Sequence, residues 1–410
     1  MSNIRSTSCA ATAAHGIPLW ITSITIHLLH DPSRFGIITG FRRDQSASPM
    51  SWNHNLHPPI SPHEVSNTLD GMKTHKAVAS LLQQARSEQR CAYSRVPAEQ
   101  LAMQRRAKTG ELIHVYRGVP SLYAPSGYWN DLTPPERTLH IAKALGLAHP
   151  QWVFGGLAAA SAYGFEHQWC LHDDSVSIMT ANHGSRQQHH QLKRVYMPDA
   201  QSTAFKDPST GLLLASPAHT VIECARAYGF RFALPIFDSA FAKGLTVEQV
   251  TTACGRMRAD VLPILKLLRH VNPKSENGGE SFARGTMIEE GFTPPRIQVP
   301  VRDPQTGADY RVDFVWRLDG GRVVVAEYDG TRKYVDPAMT GNRGIQEMIA
   351  KERERDAGLQ RAGAAEVVHF TYEDAMERTP LTMKLLRAGI PQTVNRKGRS
   401  DEGETSHPVS

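Results

Sequence analysis

Three observations predict a multidomain α+β chain. Residues 75–124 read as two helices followed by two short extended runs, residues 131–272 mix helical and extended segments, and residues 275–375 run helix, strand, hairpin, helix, strand. At 410 residues the chain has room for two or three domains, each with a sizeable core. Residues 1–71 are rich in Ser, Pro, His and Asn without a sustained period, and they read as a disordered stretch or an extension. The polar segment 395–410 carries the same expectation.

Within residues 72–130, a helix over His75–Arg90 precedes a second one over Pro97–Thr109. Pro97 suits a first helical turn, where its missing N–H goes unused, and Gly110 closes the helix. The runs Leu112–Arg117 and Pro120–Ala124 then flank the Arg117-Gly118 turn. Two helices and a small hairpin are the layout of a winged helix-turn-helix. In that arrangement Arg105, Arg106 and Lys108 on the second helix and Arg117 on the wing would hold the phosphates of double-stranded DNA. The bland reading of the same residues is a solvated helix end.

The middle region, 131–272, is expected to hold helices over Pro134–Leu147, Val153–Tyr163, His219–Ala227, Phe232–Lys243 and Thr246–Arg256, with strands over Ser175–Thr180 and Lys193–Met197. His167 and His172, or His183, His189 and His190, could be imagined as metal ligands, but no thiolate pair at zinc-finger spacing accompanies them. Arg186, Lys193 and Arg194 read better as a basic loop near phosphate. There is no G-x-S-x-G, no Walker A loop and no G-x-G-x-x-G, which removes the signatures of the corresponding hydrolase, nucleotide-motor and dinucleotide functions.

The C-terminal region, 273–394, carries the chemistry. A helix over Gly279–Glu290 ends at Gly291, Pro294 and Pro295 stop it, and a short strand follows at Ile297–Val301. The β-branched runs RVDFVWRL and RVVVAEYDG are joined by Asp319-Gly320-Gly321, a hairpin signal. A turn centred on Gly320 sets Asp313 opposite Glu327, with Cα atoms about 5 Å apart. Asp329, two residues on, points to the same side. Like charges opposed on a sheet repel, so a fold that keeps them normally inserts a cation, and carboxylate oxygens suit Mg2+ or Mn2+. The competing reading is a set of surface ion pairs, with Arg311 opposite Asp329 and with Arg317 and Arg322 beside the turn. A charged helix over Gly344–Ala362 and a strand over Glu366–Thr371 complete the region. On that helix Glu347, Lys351 and Arg355 fall at i, i+4 spacing and are expected to pair with one another.

Glu280-Ser281, Gly291-Phe292, Gln298, Val312-Asp313-Phe314, Ala326-Glu327-Tyr328-Asp329-Gly330 and Glu354-Arg355-Asp356 with Leu359 and Gly363, taken with their spacing, resemble the Vsr-like endonuclease domains of the PD-(D/E)xK superfamily. The resemblance covers about a quarter of the chain. It implies an α/β/α domain with a metal-dependent phosphodiesterase site, with Glu280, Asp313 and Glu327 in the acidic positions and as ligands of Mg2+ or Mn2+. Where the superfamily places the Lys of its E-x-K element, this chain has Asp329, as Vsr-like relatives often do. Those relatives commonly carry a His six residues after the Glu, and here that position is Lys333, which can polarise a phosphate but not shuttle protons at its ordinary pKa. Arg332, Lys333 or Lys351 could neutralise further charge at such a site.

Gly110-Glu111-Leu112-Ile113, Arg117 through Tyr123, Ala158 through Gly164 and Leu214 through Glu223 resemble, more loosely, the AbiEi-type antitoxin regulators. Actinobacterial members of that group are often fused to a Vsr-like domain and are associated with autoregulation of toxin–antitoxin operons. This resemblance implies a cognate toxin or operon partner.

Composition sets the outer limits. A net charge of +6 permits a nucleic-acid partner without demanding one. The five cysteines are odd in number, scattered and free of any C-x-x-C pair, which points to free thiols in a reducing cytoplasm. No stretch has the roughly 18 consecutive apolar residues of a membrane span, and Ile17–Leu29 lacks a signal-peptide cleavage pattern. Two function classes follow. The first is a Mg2+-dependent DNA endonuclease delivered to its substrate by the winged helix. The second is an antitoxin or transcriptional autoregulator whose nuclease-like domain only binds. All three acidic positions being filled favours the first.

Overall fold

The structure, a computed structural model, describes residues 76–181, 190–257, 260–330 and 342–392. The expectations for residues 1–71 and 395–410, and for Arg186, His183, His189, Arg332 and Lys333, fall outside these residues. The described residues all belong to one compact unit of mixed α/β structure containing three sheets. None of its helices is long and apolar enough to cross a membrane.

The chain enters through α1 (Lys76–Ser87) and α2 (Pro97–Lys108), followed by the antiparallel pair β1 (Leu112–Tyr116) and β2 (Leu122–Pro125). Val78, Ala85, Met103, Leu112 and Tyr123 bury a small core between the helices and the hairpin. After α3 (Ser126–Asp131) and α4 (Pro134–Ala148), the middle region builds a five-stranded sheet from β3 (Val153–Gly155), β4 (Val176–Thr180), β5 (Leu192–Tyr196), β6 (Phe205–Lys206) and β7 (Leu213–Leu214), in the order β5-β4-β3-β7-β6. The expected helix over Val153–Tyr163 is corrected here. Its first three residues form the central strand, Gly156 turns the chain at φ +53°, and only α5 (Gly156–Ala162) is helical. A short apolar run offers no period by which strand and buried helix can be told apart. Helices α6 (Ala200–Thr203), α7 (Pro217–Ala227), α8 (Phe230–Ala242), α9 (Val247–Gly255) and α10 (Leu262–His270) complete the region.

The third sheet is the scaffold of the candidate site. It comprises β8 (Arg296–Arg302), β9 (Asp309–Arg317), β10 (Val323–Asp329) and β11 (Ala364–Thr371), in the order β11-β10-β9-β8. The hairpin register follows the expected turn, with Arg317 opposite Val323 and Phe314 opposite Ala326. Gly320 and Gly321 take φ of +73° and +79° in the connection, a conformation open to glycine at little cost. The crossover from β10 to its parallel neighbour β11 uses α12 (Asn342–Arg361). Alternation puts Val324 and Ala326 on one side, packed with Phe314, Val368 and Phe370 and with Phe282, Ala283 and Met287 of α11 (Gly278–Glu289). Val325 faces the other side with Val312, Val315 and Leu359 of α12. Glu327 and Asp329 share the parity of Val325 and so turn toward α12. Two helices absent from the sequence-based expectation, α13 (Tyr372–Glu377) and α14 (Thr379–Arg387), add Ala375, Leu381 and Leu385 to the first core.

The first helix of this region is keyed into the middle one. Arg284 of α11 pairs with Asp238 of α8 at 2.6 Å, both side chains being almost fully buried, and donates to the His270 carbonyl. A charge pair so enclosed is held by geometry, because desolvation of each partner is repaid only in the paired state.

Candidate carboxylate site

The three predicted acidic residues come from three elements and line one cleft of about 940 Å³, together with residues of α12 and β11. Glu280 lies in the first turn of α11, where Asn277 caps the helix by accepting from the Gly279 and Glu280 amides. That turn sits hard against Tyr328, and a Cβ on Gly279 would overlap the tyrosine hydroxyl. Glycine at 279 thus lets Glu280 approach β10. The Glu280 carboxylate accepts from Asn277 Nδ2 at 2.7 Å, from the Glu276 amide at 3.0 Å and from Gln298 Nε2 at 2.8 Å.

Asp313 stands just past the last ladder pair of the hairpin. Its Oδ2 accepts the Tyr328 backbone N–H at 2.9 Å, which sets it beside Glu327, and its Oδ1 accepts from the same Gln298 Nε2 at 3.1 Å. Gln298 therefore bridges Glu280 and Asp313. It does so from a left-handed backbone conformation, φ +52°, and its Oε1 is buried without a hydrogen-bond partner. A non-glycine residue held there stores strain of roughly 1–3 kcal/mol, of the kind found at functional sites.

Glu280 and Glu327 are 4% and 7% exposed. Burial, then the Asp313 charge, pushes the Glu280 carboxyl up to about 8. Burial likewise raises Glu327 to about 7, although Arg355 pulls it down. Burial and like charge thus shift both groups toward the protonated form. A cation among them would reverse that tendency.

Arg355 was expected to pair along its own helix. Instead its Nη2 lies 3.0 and 3.1 Å from the two Glu327 oxygens and 2.7 Å from the Arg311 carbonyl. Lys351 remains exposed on the same cleft wall. The ion-pair alternative is also redistributed. Arg311 pairs with Glu276 and not with Asp329, and Arg322 pairs with Glu366, so neither neutralises the three carboxylates.

Asp329 lines the cleft but turns to His369, a residue of β11 that sequence reasoning missed. Glu327 and His369 are strand partners, so the imidazole occupies the neighbouring position on the same side. Its Nδ1 is 3.1 Å from Asp329 Oδ2 and its Nε2 is 3.1 Å from Asp356 Oδ1. The Asp329 hydrogen bond, followed by that of Asp356 against opposing burial, raises His369 to about 9. Asp329, Glu352 and His369 each bring a ligand atom within 4.8 Å of the others. With the imidazole protonated, that second cluster already carries its own positive charge.

The predicted DNA-contact residues divide. Arg105, Lys108 and Arg117 are exposed, and the Arg117 amide donates to Gln191 Oε1, tying the hairpin to the middle region. Arg106 is corrected, since it is 7% exposed and turns to Glu111 at 3.4 Å. It lies three residues after buried Met103, on the inner face of α2. Histidines 167 and 172 hydrogen-bond each other, and His172 also contacts Thr138. Burial lowers both, which fits neutral packing groups.

No family model matches the chain, and no solved structure matches it. Two uncharacterised proteins of Mycobacterium tuberculosis, from strains CDC 1551 and H37Rv, are each 29% identical to it over 157 residues, 38% of this chain and 53% of the relative. The chain thus spans about half the length of the curated relatives it matches.

Proposed function

We propose that the chain is a DNA-binding protein whose C-terminal region hydrolyses phosphodiester bonds with the help of Mg2+ or Mn2+. The convergence of Glu280, Asp313 and Glu327 on one cleft, with Gln298 bridging two of them, carries this reading. The donor set fits a hard cation. It is all oxygen, two of its carboxyls are pushed toward protonation by burial and mutual charge, and the Gln298 Oε1 stands unpartnered beside them.

A divalent cation at such a site lowers the pKa of bound water and clamps a phosphate oxygen. The chain's own residues do the rest. Glu280, Asp313 and Glu327 supply the negative charge that holds the ion. Gln298 fixes the distance between Glu280 and Asp313, so the ligands need little reorganisation. Arg355, once Glu327 is engaged elsewhere, is placed to neutralise a phosphate oxygen, as guanidinium groups do well. His369, held between Asp329 and Asp356, adds fixed positive charge to the wall. In the same reading α1, α2 and the β1–β2 hairpin form the winged helix-turn-helix, and Arg105, Lys108 and Arg117 hold duplex phosphates. The sequence resemblances to Vsr-like nuclease and AbiEi-type regulator domains support this reading of the two parts.

One observation favours a second reading. A guanidinium seated on both oxygens of Glu327 is what a binding-only autoregulator, with arginine standing permanently in the cation's place, would also contain. Incubation of the full chain with supercoiled plasmid separates the two. Nicked or linear product with Mg2+ or Mn2+, absent with EDTA and with Glu327→Gln, is expected. Wild-type protein that leaves the plasmid supercoiled with both metals would overturn the catalytic reading.

A further inference from the structure

A second cleft, of about 1060 Å³, shares no residue with the carboxylate site. It opens between β4, β5, the end of α7 and the residues after α9, and four cations stand on its walls: Lys193, Arg194, Arg226 and Arg256. Two of them are partly neutralised, Lys193 by Asp173 at 2.7 Å and Arg256 by Asp199 at 3.6 Å. Arg194 and Arg226 are exposed and enter no ion pair among the described residues; the Arg194 guanidinium lies 5.8 Å from the centre of the Trp152 ring.

Beneath these cations lies a buried carboxylate, Glu223, 6% exposed. The Gly156 amide and the Ser177 hydroxyl favour its charged form, and a Cβ on Gly155 or Gly156 would come within 2.9 Å of its oxygens. Two consecutive glycines thus make room for the carboxylate at the turn into α5. Its Oε2 nevertheless has no hydrogen-bond partner. A buried acceptor left without a donor is unfavourable, the more so when it is charged. No cation of the cleft satisfies it, although Lys193 and Arg226 act on it at a distance.

The combination asks for a ligand with two ends: an anion for unpaired arginines and a neutral N–H donor for a single buried carboxylate oxygen. Guanidinium groups match phosphate oxygens, and a glutamate accepts from the amino group of a base such as cytosine N4. The volume suits a drug-sized ligand. We propose that this cleft binds a nucleotide unit, with its phosphate on Arg194 and Arg226 and an exocyclic amino group of its base on Glu223 Oε2. Uracil and thymine lack that amino group, so the site discriminates against them. The unit could arrive as a free nucleotide or as part of a single DNA strand, because both present the same phosphate and base edge.

Calorimetry on the full chain tests this with CMP, AMP, GMP, UMP, inorganic phosphate, and single-stranded oligonucleotides of cytosine or thymine. At least one amino-bearing mononucleotide, or the cytosine oligonucleotide, is expected to bind at least tenfold more tightly than its uracil or thymine counterpart and than phosphate. Binding by the oligonucleotide alone assigns the strand as the source, and binding by mononucleotides assigns free nucleotide. Glu223→Gln should abolish the base preference while keeping phosphate affinity, and Arg226→Ala, at an exposed position, should weaken all of these ligands at least tenfold. Binding of every amino-bearing ligand no tighter than that of the uracil or thymine ligands, no binding of any of them, or an Arg226→Ala protein that binds as wild type would overturn the proposal. If Glu223→Gln does not fold, the wild-type base preference and the Arg226 variant decide between these outcomes.

Discussion

Glu280 makes a specific demand on the pH dependence of stability. In metal-free protein its carboxyl is held at about 8 against an ordinary 4.5, by burial first and the Asp313 charge second. Between those values the folded chain keeps a proton that the unfolded chain has released. The unfolded state then binds fewer protons, so stability is greatest below the unfolded value and falls as pH rises toward the folded one. One such group costs about 1.4 kcal/mol for each pH unit crossed, so Glu280 alone removes on the order of 4 kcal/mol between pH 5 and 8. Glu327, raised from 4.5 to about 7, steepens the same decline, and His369 extends it from 6.5 to about 9. Replacing Glu280 by Gln removes one ionisation and leaves the others. The amide offers one acceptor oxygen where the carboxylate offers two, so either Asn277 Nδ2, which donates to one oxygen at 2.7 Å, or the Glu276 amide and Gln298 Nε2, which donate to the other, must face an N–H, and the variant loses about 1 kcal/mol. The slope, not the absolute stability, is therefore the readout. Urea unfolding in EDTA at pH 5, 6, 7 and 8 should show the Glu280→Gln profile as the flatter by about 1 kcal/mol per pH unit, with the variant the more stable protein at pH 8. Parallel profiles would refute the claim that Glu280 is a carboxyl forced toward protonation.

Arg355→Gln should make the metal-free protein less stable at pH 8 by about 1–2 kcal/mol, discounted for the partial exposure of the arginine, and should tighten Mn2+ binding in calorimetry because a competing cation has left Glu327. Unchanged or weaker Mn2+ affinity would show that arginine and metal do not compete. Arg284→Ala leaves Asp238 buried without its partner and is expected to cost about 3–5 kcal/mol in chemical denaturation; a loss under 1 kcal/mol would mean that the pair does not tie α11 to α8. In duplex binding measured against salt, Lys108→Ala should weaken affinity and reduce the salt slope by about one. Arg106→Ala should lower thermal stability and leave the slope alone, and a slope change as large as that of Lys108→Ala would return Arg106 to the phosphates.

The hairpin and its carboxylates were legible because a strand's period of two and a glycine turn set the register locally. The pairing of Arg317 with Val323 and of Phe314 with Ala326 follows from where Gly320 stands. The same logic brings Asp313 to Glu327, although the ladder stops one pair short and a side-chain bond to the Tyr328 amide does the placing. Long-range partners were not legible. Arg355 has correct spacing for pairs along its own helix, and nothing local announces that Glu327, 28 residues away, will take it. His369 reads as one polar residue in an apolar run, and its role depends on the parallel register of β10 and β11. Arg106 could have been found, since it falls three residues after Met103 on a helix whose inner face needs that spacing. Val153 to Gly155 could not, because three apolar residues before a glycine carry no period.

Metal titration of the full chain, followed by thermal unfolding at pH 8, tests most directly whether Glu280, Asp313 and Glu327 form a cation site. A cation bound only to the folded state stabilises it by mass action, by about 2.7 kcal/mol at a hundred times the dissociation constant. Wild-type Tm should therefore climb with Mg2+ or Mn2+. Asp313→Asn should match or exceed the wild-type Tm in EDTA, having shed one repelling charge, and should respond far less to either metal. A wild-type Tm that neither metal moves, or an Asp313→Asn protein that responds as strongly as wild type, would contradict the account.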